Sequence, residues 1–260
     1  MKTYTARLTL SFRYRKADAV GQVSLQARRI HFYVASVSSH LDNASGQYSA
    51  RPEGIGKSTP IMTREEVLQL VQDFTENPYH LLPIIYEPHT RALINTFYTQ
   101  LDLGAGGDPT IAALILSIAS TSASFFVPDS SSHRIFASTE EATQASLIWR
   151  QSALNLLDDL QSSIRRSLEE CQARAILAYV VSNVEGCSAR FRFLHSCSIS
   201  VARDMSLHLI DSSTTADSTD DPATREIKRR LWWHLASTDW LLSLVGGPLD
   251  GTCKCHLLLC

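Results

Sequence analysis

Three times in this chain a hydroxyl residue is followed three positions later by glutamate and then by an apolar stripe: Thr63 with Glu66, Ser138 with Glu141, and Ser167 with Glu170. In such a capping box the hydroxyl accepts a backbone N–H of the first turn and the glutamate reaches back to the cap, so each pair marks the start of a helix. The stripes have helical spacing: Val67, Leu70, Val71 and Phe74; Leu147, Leu154, Leu157 and Leu160; Ile176, Leu177, Val180, Val181 and Val184. Pro88 suits the first turn of another helix, with Leu93, Phe97, Tyr98 and Leu101 on one face. Asp108-Pro109 and Asp221-Pro222 read as caps followed by first helical residues. The former opens a stripe of Ile111, Leu114, Ile115 and Ile118, and the latter one of Ile227, Leu231, Leu235 and Leu242 that ends at Gly246-Gly247-Pro248. Phe191, Leu194, Val201, Met205 and Leu209 supply one more, after Gly186 stops its predecessor. The body shows no convincing run of alternating strands and no repeat of fixed period. The expected fold is all-α, an irregular multi-helix bundle of about seven helices, incomplete at its C-terminal side.

Charge divides the chain more sharply than hydropathy does. The net charge is -2 over 260 residues, 44% apolar and 19% charged, which excludes wholesale disorder and a uniformly basic nucleic-acid coat. Within residues 1–30, however, seven basic residues face Asp18 alone. Arg13, Arg15, Lys16, Arg28 and Arg29 are the candidate phosphate contacts there. A basic, acid-poor start fits a nucleic-acid arm or localisation signal, an organelle presequence, or a solvated tail. Residues 36–60 are rich in Ser, Gly and Pro and read as a linker. The division expected is a basic segment over 1–35, the linker, a folded region over 61–251 and an aberrant tail over 252–260. Residues 109–128 carry no charge, a length compatible with a membrane span; the hydroxyls of the second half favour a buried core helix instead.

Residue types for catalysis are present, but not at workable spacing. Gly56-Lys57-Ser58 ends like a phosphate-binding loop, yet Arg51 stands where the first glycine belongs and Pro60 interrupts the following helix. The nucleophile elbow, the paired-histidine zinc helix and the two-spaced cysteine pair are all missing from the sequence. The six cysteines all follow residue 170, and a reducing compartment is the default expectation. Cys187, His195 and Cys197 include good zinc ligands, but two residues apart on a helix His195 and Cys197 diverge, so buried structural cysteines are expected. Cys253, Cys255, His256 and Cys260 form a weak compositional metal tract. The chain is expected to be neither an enzyme nor the holder of a cofactor.

The segment 225–251, REIKRRLWWHLASTDWLLSLVGGPLDG, is the most specific in the chain. Glu226, Lys228, Arg229 and Arg230 form a charged shoulder. Trp232, Trp233 and Trp240 are expected to dock inward on the earlier helices. Asp239, isolated among apolar residues, needs a cationic partner if buried; Arg203, on the neighbouring expected helix, is the candidate.

This segment resembles the middle homology region of fungal-specific transcription factors, also called the xylanolytic activator regulatory domain. Arg229, Arg230, Leu231, Trp232, Trp233, Asp239, Ser243, Gly247 and Pro248 fill the places of the family signature. Upstream stretches resemble the family in the right order: 81–98, 113–120, 171–183, and 196–211, where Arg203 and His208 match an Ala-Arg and a Leu-His. The resemblance covers about residues 60–251. It implies a helical regulatory region of a nuclear factor that controls RNA polymerase II transcription. It further implies zinc in the full-length family members, though the six-cysteine cluster is missing from this chain, so DNA would be reached through a missing or divergent N-terminal module. The implied partners are DNA, the transcription machinery or regulatory proteins, with room for a small-molecule effector and a homodimer and no membrane. The alternative is a helical ligand-binding or protein-interaction module without DNA binding. The family region continues beyond the Gly-Pro, so the tail TCKCHLLLC reads as a departure, and a body cut there is expected to be poorly soluble or partner-dependent.

Overall fold

The computed structural model describes residues 7–17, 23–36, 58–103, 107–128, 135–162, 166–212 and 220–246, with side chains between Met62 and Ser243. Its helical body is all-α. Seven helices lie among the described residues: α1 Arg64–Glu76, α2 Glu87–Asp102, α3 Pro109–Ser124, α4 Thr139–Asp159, α5 Leu168–Glu185, α6 Ala189–Asp204 and α7 Pro222–Gly246. Ahead of them the backbone traces three antiparallel strands in chain order, β1 Arg7–Ala17, β2 Val23–Ser36 and β3 Ser58–Ile61. They fall in the basic segment and at the end of the linker, and the alternation of Leu8, Leu10, Phe12 and Tyr14 is the period-two signal within β1.

The caps explain where the helices start. Thr63 Oγ1 accepts the Glu66 N–H at 3.3 Å, and the Glu66 carboxylate accepts the Thr63 N–H at 2.9 Å, closing a full box. Ser138 accepts the Glu141 N–H at 3.2 Å, while the Glu141 carboxylate reaches one residue further back, to the Ala137 N–H at 2.7 Å. Ser167 accepts the Glu170 N–H at 3.2 Å, but Glu170 turns inward to arginines, so the third box is only half made. Asp108 and Asp221 cap α3 and α7, accepting from Thr110 N–H at 2.8 Å and from Ala223 and Thr224 N–H at 2.9 and 3.0 Å.

α3 is the axis of the core. Every residue from Ala112 to Ala123 is buried, and α4, α5 and α1 pack around it. Small side chains let those neighbours approach closely, and each buried hydroxyl finds an acceptor. Ser117 and Thr121 donate to carbonyls one turn back at 2.7 and 2.8 Å. Ser146 of α4 donates to the Ser120 carbonyl at 2.8 Å, and Ser122 donates to the Leu70 carbonyl of α1 at 2.8 Å. The uncharged stretch is therefore a core helix, and among the described residues no helix is long and apolar enough to cross a membrane. Three stripe residues sit differently from expectation: Leu147, Val184 and Leu209 are exposed, and Ala145, Trp149 and Ala153 carry the inner face of α4.

Candidate functional site

α7 carries the signature residues, and its first half is fastened to the body by charge. Arg229 grips Asp211 with Nε at 2.9 Å and Nη2 at 2.6 Å from Oδ1, and its Nη1 donates to Glu226 at 2.6 Å. These hydrogen bonds hold the Asp211 carboxyl below, and the Arg229 guanidinium above, their ordinary ranges. Arg230 donates to Glu226 at 2.8 Å and to the Tyr79 hydroxyl at 3.3 Å, reaching the short 3-10 turn Pro78–His80. Lys228 pairs with Asp220, and Arg225 donates to the Ile210 carbonyl at 3.2 Å. Asp211 and Asp220 are thus both paired with the first two turns of α7. Arg229 therefore ion-pairs to Asp211 outside α7, whereas Arg230 ion-pairs within α7 and reaches the body through the Tyr79 hydroxyl.

Ile227, Leu231, Leu235 and Ala236 form the buried inner face. Trp232 is half-buried, packs on the core and lies 5.8 Å ring to ring from His208. Trp233 and Trp240 do not dock inward as expected: they are 51% and 56% exposed. The physical reason is helical phase. Positions 233, 237, 240 and 241 share a face opposite to 231, 235 and 239, and that outer face is exposed throughout. Composition alone had assigned the indoles to the core.

Asp239 is buried, and the imidazole that faces it is that of His195 of α6, with Nε2 3.9 Å from Oδ1 and both side chains almost fully covered. The sequence reading named Arg203 for that place; Arg203 lies two turns further along the same helix, half-buried. Burial pushes the His195 imidazole down to about 4, against the opposing pull of Asp239 and with the support of His234, which burial also lowers. Ser243 donates to the Trp240 carbonyl at 2.7 Å. Gly247 and Pro248 lie outside the described residues. Arg13, Arg15, Lys16, Arg28 and Arg29 are placed as backbone only, opposite Ala27, Leu25, Ser24, Phe12 and Ser11 respectively.

The sequence reading missed the charged group that is buried deepest. Arg174 of α5 is 1% exposed and donates to Glu170 through Nε at 3.1 Å and Nη2 at 3.0 Å, and to the Leu157 carbonyl at 2.7 Å. Arg166 adds a second cation to Glu170 at 3.2 Å and reaches Asp204 at 3.5 Å. The Glu170–Arg174 spacing of four inside an apolar helix was the available signal. Cys171 is buried with its thiol 3.5 Å from the Ser198 carbonyl, and burial pushes that thiol and the half-covered Cys197 thiol up. No group of three His, Cys, Asp or Glu that could hold a metal occurs among the described residues; Cys253, Cys255 and Cys260 lie outside them.

The all-helical body thus ends in a helix that joins an arginine shoulder, paired tryptophans and a buried aspartate. The family model described as the fungal specific transcription factor domain matches residues 71–248, and the chain belongs to that family. It is 46% identical over 198 residues to Transcription factor TAS2 of Pyricularia oryzae, an alignment covering 75% of this chain and 26% of that protein. It is 34% identical over 216 residues to Probable transcription factor lepB of Aspergillus flavus, covering 80% and 38%. It is 31% identical over 199 residues to the Agnestins biosynthesis cluster transcription factor AgnL11 of Paecilomyces divaricatus, covering 75% and 28%. The chain therefore spans between 26% and 38% of these relatives' lengths. No solved structure matches.

Proposed function

We propose that this chain is the regulatory region of a nuclear transcription factor that acts on RNA polymerase II transcription. The observation that carries the reading is the family match over 71–248, joined to three relatives named as transcription factors. In this reading the helical body receives regulatory proteins or a small effector, and contact with DNA belongs to the basic N-terminal segment or to polypeptide of the kind that relatives carry outside the shared stretch. Zinc enters at the level of the family. The body's own chemistry supports regulation over direct DNA contact: Lys228, Arg229 and Arg230, its densest basic run, are engaged with Asp220, Asp211 and Glu226 and are thereby drawn away from phosphates.

The test is a tethering assay. The chain is fused to an unrelated DNA-binding domain and placed upstream of a fungal reporter. The expected result is a reporter level shifted several-fold, up or down, from that of the DNA-binding domain alone; an unchanged level counts against the proposal. A gel shift of the untethered chain over a salt series separates the two routes to DNA. Retardation that fades steeply between about 50 and 200 mM salt assigns phosphate contact to the basic segment. Absence of retardation at every salt concentration favours an interaction module without DNA binding.

A further inference from the structure

We propose that the outer face of α7 is a docking site for an acidic peptide with apolar side chains, and that Asp211 of this chain occupies the charged end of that site in cis. At helical spacing Glu226, Arg229, Arg230, Trp233, Ser237 and Trp240 fall on one face of α7. The face changes character along the axis. Two guanidiniums stand at its N-terminal end, and two indoles follow, both more than half exposed. Glu226 accepts from Arg229 on one carboxylate oxygen at 2.6 Å and from Arg230 on the other at 2.8 Å, which holds both guanidiniums in place on that face.

The cis contact shows what the charged end accepts. Arg229 takes the Asp211 carboxylate through Nε at 2.9 and 3.0 Å and through Nη2 at 2.6 Å, the forked geometry by which arginine recognises a carboxylate. Asp211 opens the stretch 211–221, which holds four aspartates and no basic residue. Its side chain is 52% exposed, and exposed ion pairs are weak and screened by salt, so the tether of a shared chain favours this pairing over an equal carboxylate in solution. Asp211 fills Arg229 but leaves Trp233 and Trp240 exposed. A peptide with alternating carboxylates and apolar side chains satisfies both ends of the face, by charge on the arginines and by apolar burial on the indoles. The carboxylate already seated there favours a peptide over nucleic acid, whose regularly spaced phosphates would also meet Glu226. The inference rests on the reading of the body as a receiver of regulatory proteins. Its experiment measures peptide binding without a reporter, so failure of one assay is distinct from failure of the other.

The experiment follows fluorescence anisotropy of three labelled probes added to the whole chain at low salt: a peptide alternating Asp and Leu, a peptide alternating Asp and Ser, and a single-stranded oligonucleotide of mixed sequence. The wild type is expected to bind the Asp-Leu peptide weakly, and Asp211→Asn, which frees Arg229, to bind it about tenfold more tightly. The Asp-Ser peptide is expected to bind either protein about tenfold more weakly than the Asp-Leu peptide, because it brings no apolar surface to the indoles. Trp233→Ser, at an exposed position, is expected to erase that difference between the peptides. No gain with a folded Asp211→Asn variant, equal binding of the two peptides to the wild type, an unchanged preference in Trp233→Ser, or tighter binding of the oligonucleotide than of the Asp-Leu peptide each overturns the proposal. Helical circular dichroism checks each variant. Should Asp211→Asn fail to fold, the peptide preference of the wild type and its loss in Trp233→Ser decide.

Discussion

Replacing Arg174 with methionine tests whether the buried charge in α5 is coupled as the geometry says. The substitution keeps most of the side-chain volume and removes the guanidinium. Glu170 loses its donors at 3.1 and 3.0 Å, and the Leu157 carbonyl loses its donor at 2.7 Å. A buried acceptor left without its partner costs about 1–3 kcal/mol, and breaking a buried ion pair from one side costs about 3–5 kcal/mol. Arg166 still stands 3.2 Å from Glu170 and is partly exposed, so it absorbs part of the loss. The expected cost is about 3 kcal/mol, or a drop in melting temperature of about 6–12 °C at the scale of a domain this size. The assay is urea and thermal unfolding followed by helical circular dichroism. Glu170→Leu combined with Arg174→Met removes both charges and should recover most of the loss, because two apolar groups no longer demand each other's charge. A single-variant cost under about 1 kcal/mol, or a double variant no better than the single, would refute the coupling.

Three further outcomes follow from other sites. His195 has a folded pKa of about 4 against 6.5 in a free chain, so between those values the unfolded state binds more protons. Its contribution is therefore present above pH 6.5 and is lost as pH falls toward 4, by up to about 3 kcal/mol; His195→Asn should flatten that part of a plot of urea stability against pH, and an unaltered slope would contradict the assignment. Gly107→Ala places a Cβ 2.5 Å from Phe97 Cε2 and 2.8 Å from Cζ, and the overpacked core should lose about 1–3 kcal/mol in denaturant melts. Ser206 follows the end of α6 with φ of 58°, a left-handed conformation that glycine adopts freely, so Ser206→Gly should raise stability by about 0.5–1 kcal/mol, and a loss would show that the hydroxyl does more than fill the turn.

Much of the fold was legible because it is written in local chemistry. The Thr63, Asp108, Ser138 and Asp221 caps each begin a helix where their hydrogen bonds say they should, and Gly186 ends α5 with a φ of +66°. Ser206 shows the limit. The stripe from Phe191 to Leu209 reads as one helix, but the chain turns at Met205–Ser206 into a short 3-10 turn over Leu207–Leu209. Serine carries no strong stop signal. Apolar periodicity misses the break: after it Leu207 and Ile210 return to the core, whereas Leu209, the stripe's last member, is exposed.

The candidate site was less legible, for a reason visible in α7 itself. Sequence similarity picks out Trp232, Trp233, Asp239 and the paired arginines together, but the helix sends them to different places. Leu231, Leu235 and Asp239 share the inner face; Trp233 and Trp240 share the outer; Trp232 lies between them against His208. Residue type suggested that three tryptophans are core and that a lone acid needs an arginine. Helical phase overrides the first inference, because position 233 cannot face inward while 231 and 235 do. Tertiary packing overrides the second, because it is α6 that decides which side chain opposite α7 arrives at Asp239. The stripe of 231, 235 and 239 by itself puts Trp233 on the outer face; it does not distinguish His195 from Arg203 opposite Asp239, since both lie on α6, separated by two turns.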